Sequence, residues 1–256
     1  MFNVSRPVVL DINTQGDLFS PRGIYTLHEV AAVLPRMREF FAGVAAAHVP
    51  VVSTRLHRVL MPGQTGDVPI GVPNTAGFCK LPFTLLRGAV ELPLDCGTDF
   101  PADGFNGAPQ YIFDLPQINP FELPRFDRLL SESDAPLWMV VGGPLESCVR
   151  MAVLGLVQRR QKVVMVTDCL AAHDAYRGQM ALRQLESKSI DWMTSDQAMA
   201  KFTARPRRVI PMATLRTRRL AGLRRAMRGV DPVGVVERSA TPIDLTARAG
   251  RRRLRH

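Results

Sequence analysis

The 256-residue sequence is poor in the features that mark membrane and disulfide-bonded proteins. No apolar run approaches the roughly 18 residues of a membrane-spanning helix. The four cysteines show neither Cys-x-x-Cys spacing nor a zinc-binding pattern, which favours reduced thiols. No signal peptide is evident before the first apolar strand, so we expect a cytoplasmic protein. No lysine occurs between Lys80 and Lys162, and no aromatic residue follows Phe202.

Charge is distributed unevenly along the chain. Residues 203–256 contain fifteen of the 33 basic residues and three of the 23 acidic ones, a net charge of +12 that leaves −2 for residues 1–202. This shift predicts a domain at 1–202 and an arginine-rich extension at 203–256. The extension could bind an acidic partner, a membrane surface or nucleic acid, partly through an amphipathic helix at 214–229. The alternative is a solvated, largely disordered tail.

Short apolar strands and amphipathic helices alternate through residues 1–202. We predict strands at 7–12, 49–54, 111–113, 137–142, 162–167 and 190–194, and helices at 27–47, 120–131, 147–160, 176–188 and 196–201. The Gly/Pro-rich segment 61–109 is predicted to form loops. Repeated βα units predict an α/β, Rossmann-like three-layer sandwich, with helices on both faces of a central, mostly parallel sheet. Ligands bind such sheets at the carboxyl ends of the strands.

Two candidate reactive side chains are predicted to lie at these strand ends. Asp11 ends the first strand, and Cys148 follows the strand at 137–142 after a Gly-Gly-Pro turn. A thiol at the start of a helix is favoured as a thiolate by free backbone N–H groups and the helix dipole. The alternative for Cys148 is a buried core cysteine.

Three blocks, in this order, carry a resemblance to a known family. They are Val8-Val-Leu-Asp11-Ile-Asn-Thr-Gln-Gly-Asp-Leu-Phe19, Gly142-Gly-Pro-Leu-Glu-Ser-Cys148-Val, and Val163-Val-Met-Val-Thr-Asp168. They resemble the isochorismatase-like cysteine hydrolases, and residues 71–77, 80–86 and 119–125 are similar to the nicotinamidase-like branch. The resemblance covers about residues 5–200. It implies a small-molecule ligand, a homo-oligomer, and a reaction in which a cysteine thiolate attacks an amide carbonyl and water releases the acyl-enzyme.

The resemblance implies catalytic roles for Cys148 as nucleophile and Asp11 as general base. The family also uses a lysine, and Leu115 occupies its position in this sequence. Lys80 belongs to another block, and Arg125 is a poor substitute because of its helix context. We expect the missing cation to raise the pKa of Cys148.

The oxyanion hole of the family is also altered. The family uses the N–H at the position of Cys148 and the N–H that follows a cis peptide bond. Here the matching dipeptide is Gly143–Pro144, and proline has no N–H. We expect the cis geometry to be kept. Loss of one oxyanion donor typically lowers the rate by about 10²–10³-fold.

The metal-binding residues of the nicotinamidase-like branch are largely replaced. Arg55 and Ile70 occupy two of the expected ligand positions, and His57 alone remains, so we predict neither a metal nor another cofactor. His57 is then expected on the surface or in a loop. Arg55 could instead bind a carboxylate of the ligand with its planar guanidinium group.

The remaining candidates have structural explanations. His173 and Asp174 are more typical of a helix cap than of a catalytic base. Cys79, Cys96 and Cys169 are interpreted as packing or surface thiols.

The sequence therefore favours a family protein that has lost or altered cysteine-dependent amide hydrolysis, as a pseudoenzyme or ligand-binding scaffold. The alternative is an active, metal-free hydrolase of a small amide-like substrate that uses Cys148 and Asp11.

Overall fold

The computed structural model describes residues 4–202 except 65, 93, 96, 102 and 103. The predicted arginine-rich extension at 203–256 lies outside the described residues, as does Cys96. Within the described part of the chain, no helix has the length and apolar composition needed to cross a membrane.

The centre of the fold is a seven-stranded sheet in which every pair of neighbouring strands is parallel. The strands follow the spatial order β3-β4-β2-β1-β5-β6-β7. They are β1 Val8–Ile12, β2 Val51–Leu56, β3 Val90–Leu92, β4 Gln110–Leu115, β5 Trp138–Gly142, β6 Val163–Leu170 and β7 Asp191–Met193. The predicted parallel α/β architecture is confirmed. β3 was not predicted, because its residues are largely exposed and lack the apolar pattern of a buried strand.

The helices form two groups. They are α1 Gly16–Phe19, α2 Val30–Ala46, α3 Pro124–Glu132, α4 Arg150–Gln158, α5 Ala175–Glu186 and α6 Ser195–Phe202. The crossover from β1 through α2 to β2 runs toward one edge of the sheet, whereas the crossovers through α3, α4 and α5 run toward the other. Right-handed crossovers in opposite directions place their helices on opposite faces. In agreement, α2 packs on α6, and α4 packs on α5.

The central strands are buried on both faces. All residues of β1 and β5 are buried, including Trp138 and Leu10 at 0 % exposure. The direction of the crossovers changes between these two neighbouring strands, because the chain leaves β1 for one edge and β5 for the other. A crevice at the carboxyl ends of the strands forms at such a switch point. In this fold the switch point lies after β1 and β5.

Candidate active site

Asp11 and Cys148 occupy the switch point. Asp11 pairs with Val141 in the β1–β5 register, and Ile12 pairs with Gly142. Cys148 lies six residues beyond Gly142, in a π-helical turn that leads directly into α4. Both side chains are buried, Asp11 at 0 % and Cys148 at 1 % exposure. The fold therefore places the two predicted catalytic residues at the ends of adjacent strands.

Asp11 is paired with Lys80, which does not lie at the lysine position implied by the family resemblance. Its Oδ2 accepts hydrogen bonds from Lys80 Nζ at 2.8 Å, Ser53 Oγ at 2.8 Å and Thr14 Oγ1 at 3.1 Å. Lys80 Nζ also donates to Thr14 Oγ1 at 2.8 Å and to the carbonyl of Thr54 at 3.3 Å. The expectation that no lysine accompanies the general base is wrong.

Backbone pairing brings Lys80 to this position. Gln15 and Lys80 form an isolated antiparallel bridge, and Leu81 N–H donates to the carbonyl of Thr14. The segment around Lys80 thus lies along the chain that leaves β1. One signal could have singled it out, because Lys80 is the first lysine in a chain whose preceding basic residues are all arginine or histidine.

Burial lowers the pKa of the Lys80 ammonium group. Loss of hydration lowers its pKa from the usual value, and the neighbouring Asp11 carboxylate opposes this change. Two buried opposite charges of this kind are costly to desolvate and contribute little net stability. The pair is thus poorly explained by stability alone.

Leu115 is not part of this pair. It ends β4, pairs with Leu56 on β2 and is 1 % exposed within the apolar core. Arg125, the other cation considered from the sequence, binds the carboxylate of Asp95 at 2.8 Å.

The surroundings of Cys148 favour the protonated thiol over the thiolate. Burial raises its pKa from 9.0 to about 12, and the Glu146 carboxylate acts in the same direction. The Ser147 hydroxyl at 3.9 Å, the N–H of Cys148 itself and the side chain of Asn13 lower it. The predicted rise is therefore present, but burial is its largest cause. The position of Cys148 at the start of a helix therefore does not prevent burial from raising the pKa of its thiol.

The turn before Cys148 has the expected backbone geometry. The Gly143–Pro144 peptide bond is cis, as predicted. Gly142 has a φ of 106°, and a Cβ there would lie 2.0 Å from the carbonyl oxygen of Ile12, so only glycine fits. Leu145 N–H donates to the carbonyl of Ala171 at 2.9 Å. The N–H of Cys148 itself interacts with the thiol and lowers its pKa.

Two buried polar atoms at the switch point lack hydrogen-bond partners among the described residues. They are Oδ1 of Asp11 and Nδ2 of Asn13. Most buried polar groups in folded proteins are hydrogen-bonded, so each exception calls for an explanation. Asn13 was not singled out from the sequence, where an asparagine after a strand is unremarkable.

Arg55 binds carboxylates of this chain. Its Nε donates to Asp114 Oδ1 at 2.7 Å, and its Nη2 donates to Glu91 Oε2 at 3.0 Å. Its guanidinium also lies over the ring of Phe78, 3.8 Å from the centroid. An anionic ligand would have to displace these carboxylates, so the structure does not favour the predicted ligand-binding role of Arg55.

The donor set for a metal is incomplete. His57 Nδ1 lies 3.5 Å from Asp114 Oδ2, and its ring packs edge-on against Phe78. Ile70 is buried and forms a bridge with Val59. Within the described residues, no group of three or more His, Cys, Asp or Glu side chains is arranged to hold a metal ion. These residues do not fit the zinc site of the nicotinamidase-like branch.

The other candidates are explained by local structure. Asp174 accepts from Arg177 N–H at 2.7 Å and caps α5, as predicted. His173 stacks on Tyr25, with ring centroids 3.7 Å apart. Cys169 is buried, and Cys79 is exposed.

A cavity of about 570 Å³ lies beside the π-helical turn. Its wall includes Glu146 and Ser147, which precede Cys148, together with Tyr25, Arg150 and Met180. Asp11, Lys80 and Cys148 are not part of that wall.

Comparison with solved structures identifies the fold. A putative isochorismatase hydrolase from Oleispira antarctica has a TM-score of 0.59 and 17 % identity, covering 78 % of this chain and 99 % of that one. The pyrazinamidase of Pyrococcus horikoshii, in complex with zinc, has a TM-score of 0.54 and 18 % identity, covering 74 % and 99 %. The MAR1 ribonuclease from Caenorhabditis elegans has a TM-score of 0.55 and 14 % identity, covering 93 % and 98 %.

The chain is thus an α/β protein with a parallel sheet and a cysteine and an aspartate at its switch point. More narrowly, it has the fold of the isochorismatase-like hydrolases, as the sequence resemblance implied. No protein-family model matches the sequence, and the search of curated proteins found no match.

Proposed function

We propose that the chain is an isochorismatase-like cysteine hydrolase that cleaves the C–N bond of a small amide without a metal ion. The observation that carries this proposal is the buried Asp11–Lys80 pair at the strand ends where Cys148 also lies. The sequence favoured lost catalysis partly because a lysine was missing, and Lys80 now removes that argument. The loss of a metal site does not prevent thiol chemistry, which needs a nucleophile, a base and oxyanion donors.

Asp11 is suited to act as the general base. Its Oδ2 is held by Lys80, Ser53 and Thr14, while its Oδ1 has no hydrogen-bond partner among the described residues. Lys80 stabilises the charged carboxylate and fixes its orientation. The carboxylate thus has one oxygen for positioning and one oxygen for accepting a proton.

The reaction proceeds through a thioester. Asp11 takes the thiol proton as the sulfur of Cys148 bonds to the amide carbon, and the carbonyl oxygen becomes an oxyanion near the N–H of Cys148. When the oxyanion collapses, the C–N bond breaks and Asp11 returns the proton to the departing amine. Asp11 then takes a proton from water as its oxygen attacks the thioester, and the carboxylic acid leaves as the thiol is protonated again.

The raised pKa of Cys148 restricts when the thiol proton can move. A thiol with a pKa of about 12 holds almost no thiolate at neutral pH, so proton transfer to Asp11 must accompany substrate attack. Catalytic contacts often tighten only when the substrate binds. We therefore expect the thiol proton to move to the free carboxylate oxygen of Asp11 only when substrate is bound.

A second candidate is a ligand-binding protein without catalysis. It is favoured by the missing N–H of Pro144 and by the raised pKa of the thiol. Both candidates bind a small molecule at the switch point, so a test must detect the covalent step.

Ammonia release from a panel of primary amides, including pyrazinamide, distinguishes the two candidates. We expect hydrolysis by the wild type, with a thioester detectable by intact-protein mass spectrometry, and only background release from Cys148→Ala. Cys169→Ala is the matched control, because it removes another buried thiol and should retain activity. If no amide gives either ammonia or a thioester, the result would favour the ligand-binding protein without catalysis.

The partners of the arginine-rich extension and the homo-oligomer remain proposals. Residues 203–256 carry a net charge of +12, which suits an acidic partner, an anionic membrane surface or nucleic acid.

A further inference from the structure

The chain needs a second donor for the oxyanion of its proposed reaction. Pro144 has no N–H, and the next backbone donor, Leu145 N–H, is bonded to the carbonyl of Ala171 at 2.9 Å. Cys148 N–H alone would leave a developing negative charge with one donor. A side chain on a neighbouring element can supply a further donor.

Asn13 lies on that neighbouring element. It follows β1 directly, and Gly143 N–H donates to the carbonyl of Ile12, the residue before Asn13, at 2.9 Å. The chain after β1 therefore runs beside the Gly143–Pro144 peptide. The side chain of Asn13 also lies close enough to the Cys148 thiol to lower its pKa.

The orientation of the Asn13 amide is determined by Thr54. Asn13 N–H donates to the carbonyl of Thr54 at 3.1 Å and to its Oγ1 at 3.2 Å. Thr54 Oγ1 also donates its own proton to Asn13 Oδ1 at 2.6 Å. The amide oxygen is thus the end bound to Thr54, and the opposite end is Nδ2.

Nδ2 is available for a ligand. Asn13 is 0 % exposed, and its Nδ2 has no partner of proper hydrogen-bond geometry among the described residues. The amide lies close enough to influence the thiol, yet its donor is not spent on it. A buried donor without a partner is costly, and that cost is recovered when a charged acceptor binds.

We propose that Asn13 Nδ2 donates a hydrogen bond to the oxyanion formed on Cys148 and thereby supplies the donor that Pro144 lacks. The inference rests on the proposed hydrolase function. It assigns Asn13 as a catalytic residue that contacts the reacting oxygen, with Thr54 as the positioning residue that orients its amide.

The test compares Asn13→Gly with Asn13→Asp. Asn13 has a φ of 51°, so glycine removes the side chain without straining the backbone, while aspartate keeps the shape and replaces the donor with an acceptor. With an amide that the wild type hydrolyses, we expect kcat to fall about 10²–10³-fold in both variants, with little change in KM. Thr54→Val should give a smaller fall. Variants that keep kcat within about threefold would overturn the proposal, since an oxyanion donor is worth far more.

A second measurement does not depend on turnover. Acetaldehyde labelled with ¹³C at its carbonyl adds reversibly to a thiol and forms a thiohemiacetal whose oxygen occupies the oxyanion position. We expect Asn13→Gly to weaken this adduct about 10-fold in NMR titrations, the value of one good hydrogen bond. Alkylation of Cys148 by iodoacetamide, which forms no oxyanion, should change much less.

The outcomes separate the two proposals. If the wild type hydrolyses no amide but the adduct weakens in Asn13→Gly, the proposed function fails and the donor role of Asn13 stands. If adduct formation and alkylation change equally, Asn13 acts only on the structure around the thiol, and the donor role is overturned.

Discussion

The Asp11–Lys80 pair and the Arg55–Asp114 pair both join a cation to a carboxylate on neighbouring parts of the sheet, but they differ in burial and in unused polar atoms. The Lys80 and Asp11 side chains are 1 % and 0 % exposed, and Oδ1 of Asp11 has no partner among the described residues. Arg55 and Asp114 are 8 % and 15 % exposed, and Arg55 reaches the solvent-exposed Glu91 as well. The first pair retains an unused oxygen for chemistry, whereas the second is saturated by its own contacts.

Removing Lys80 should give the largest effect. Lys80→Met leaves Asp11 buried without its cation, so we expect a loss of about 3–5 kcal/mol in the free energy of unfolding, measured in urea. Amide hydrolysis should fall to background. The double variant Lys80→Met with Asp11→Asn should recover much of the stability and none of the activity. A loss below about 1 kcal/mol for Lys80→Met would contradict this account, because the buried pair would then contribute no more than a solvent-exposed ion pair.

Thiol reactivity separates Cys148 from the exposed Cys79. Burial raises the pKa of Cys148 from 9.0 to about 12, so its thiolate fraction at neutral pH should be about 10³-fold lower than that of an ordinary thiol. Iodoacetamide labelling resolved by peptide mass spectrometry should modify Cys79 first, with the Cys148 rate rising about tenfold per pH unit.

The same shift makes stability depend on pH in the alkaline range. The folded state favours the protonated thiol, so this contribution is complete below pH 9 and decreases as the pH rises from 9 toward 12. In the labelling experiment, faster modification of Cys148 than of Cys79 at pH 7 would contradict the raised pKa of Cys148 and would require a preformed thiolate.

Arg55→Ala should have the smallest effect on chemistry. Asp114 keeps its contact with His57, and Glu91 is exposed, so we expect a loss of about 1–3 kcal/mol in the free energy of unfolding and kcat within a few fold of wild type. Arg125→Ala is the matched control, because Arg125 is equally buried and pairs with Asp95. If activity is lost in Arg55→Ala but kept in Arg125→Ala, the Arg55–Asp114 pair takes part in the reaction.

Local sequence patterns predicted most of the architecture. Apolar strand patterns identified every described strand except β3, and helix signals identified the capping role of Asp174. The cis Gly143–Pro144 bond was expected from the family resemblance. β3 escaped prediction because it is short and exposed, and Glu91 lies on it. The Arg55–Glu91 contact could not be anticipated without that strand. For this reason Arg55 was predicted to be available for a ligand carboxylate, although Glu91 and Asp114 bind it.

The sequence by itself determined the parallel α/β fold, the positions of Asp11 and Cys148 after their strands, and the absence of an N–H at Pro144. These follow from periodicity, chain order and covalent structure. Only the tertiary structure decided that Lys80 binds Asp11, that Thr54 orients Asn13, and that Asp114 and Glu91 bind Arg55. Each of these contacts joins residues far apart in the chain. They depend on strand order and on the bridge between Gln15 and Lys80, which no local pattern encodes.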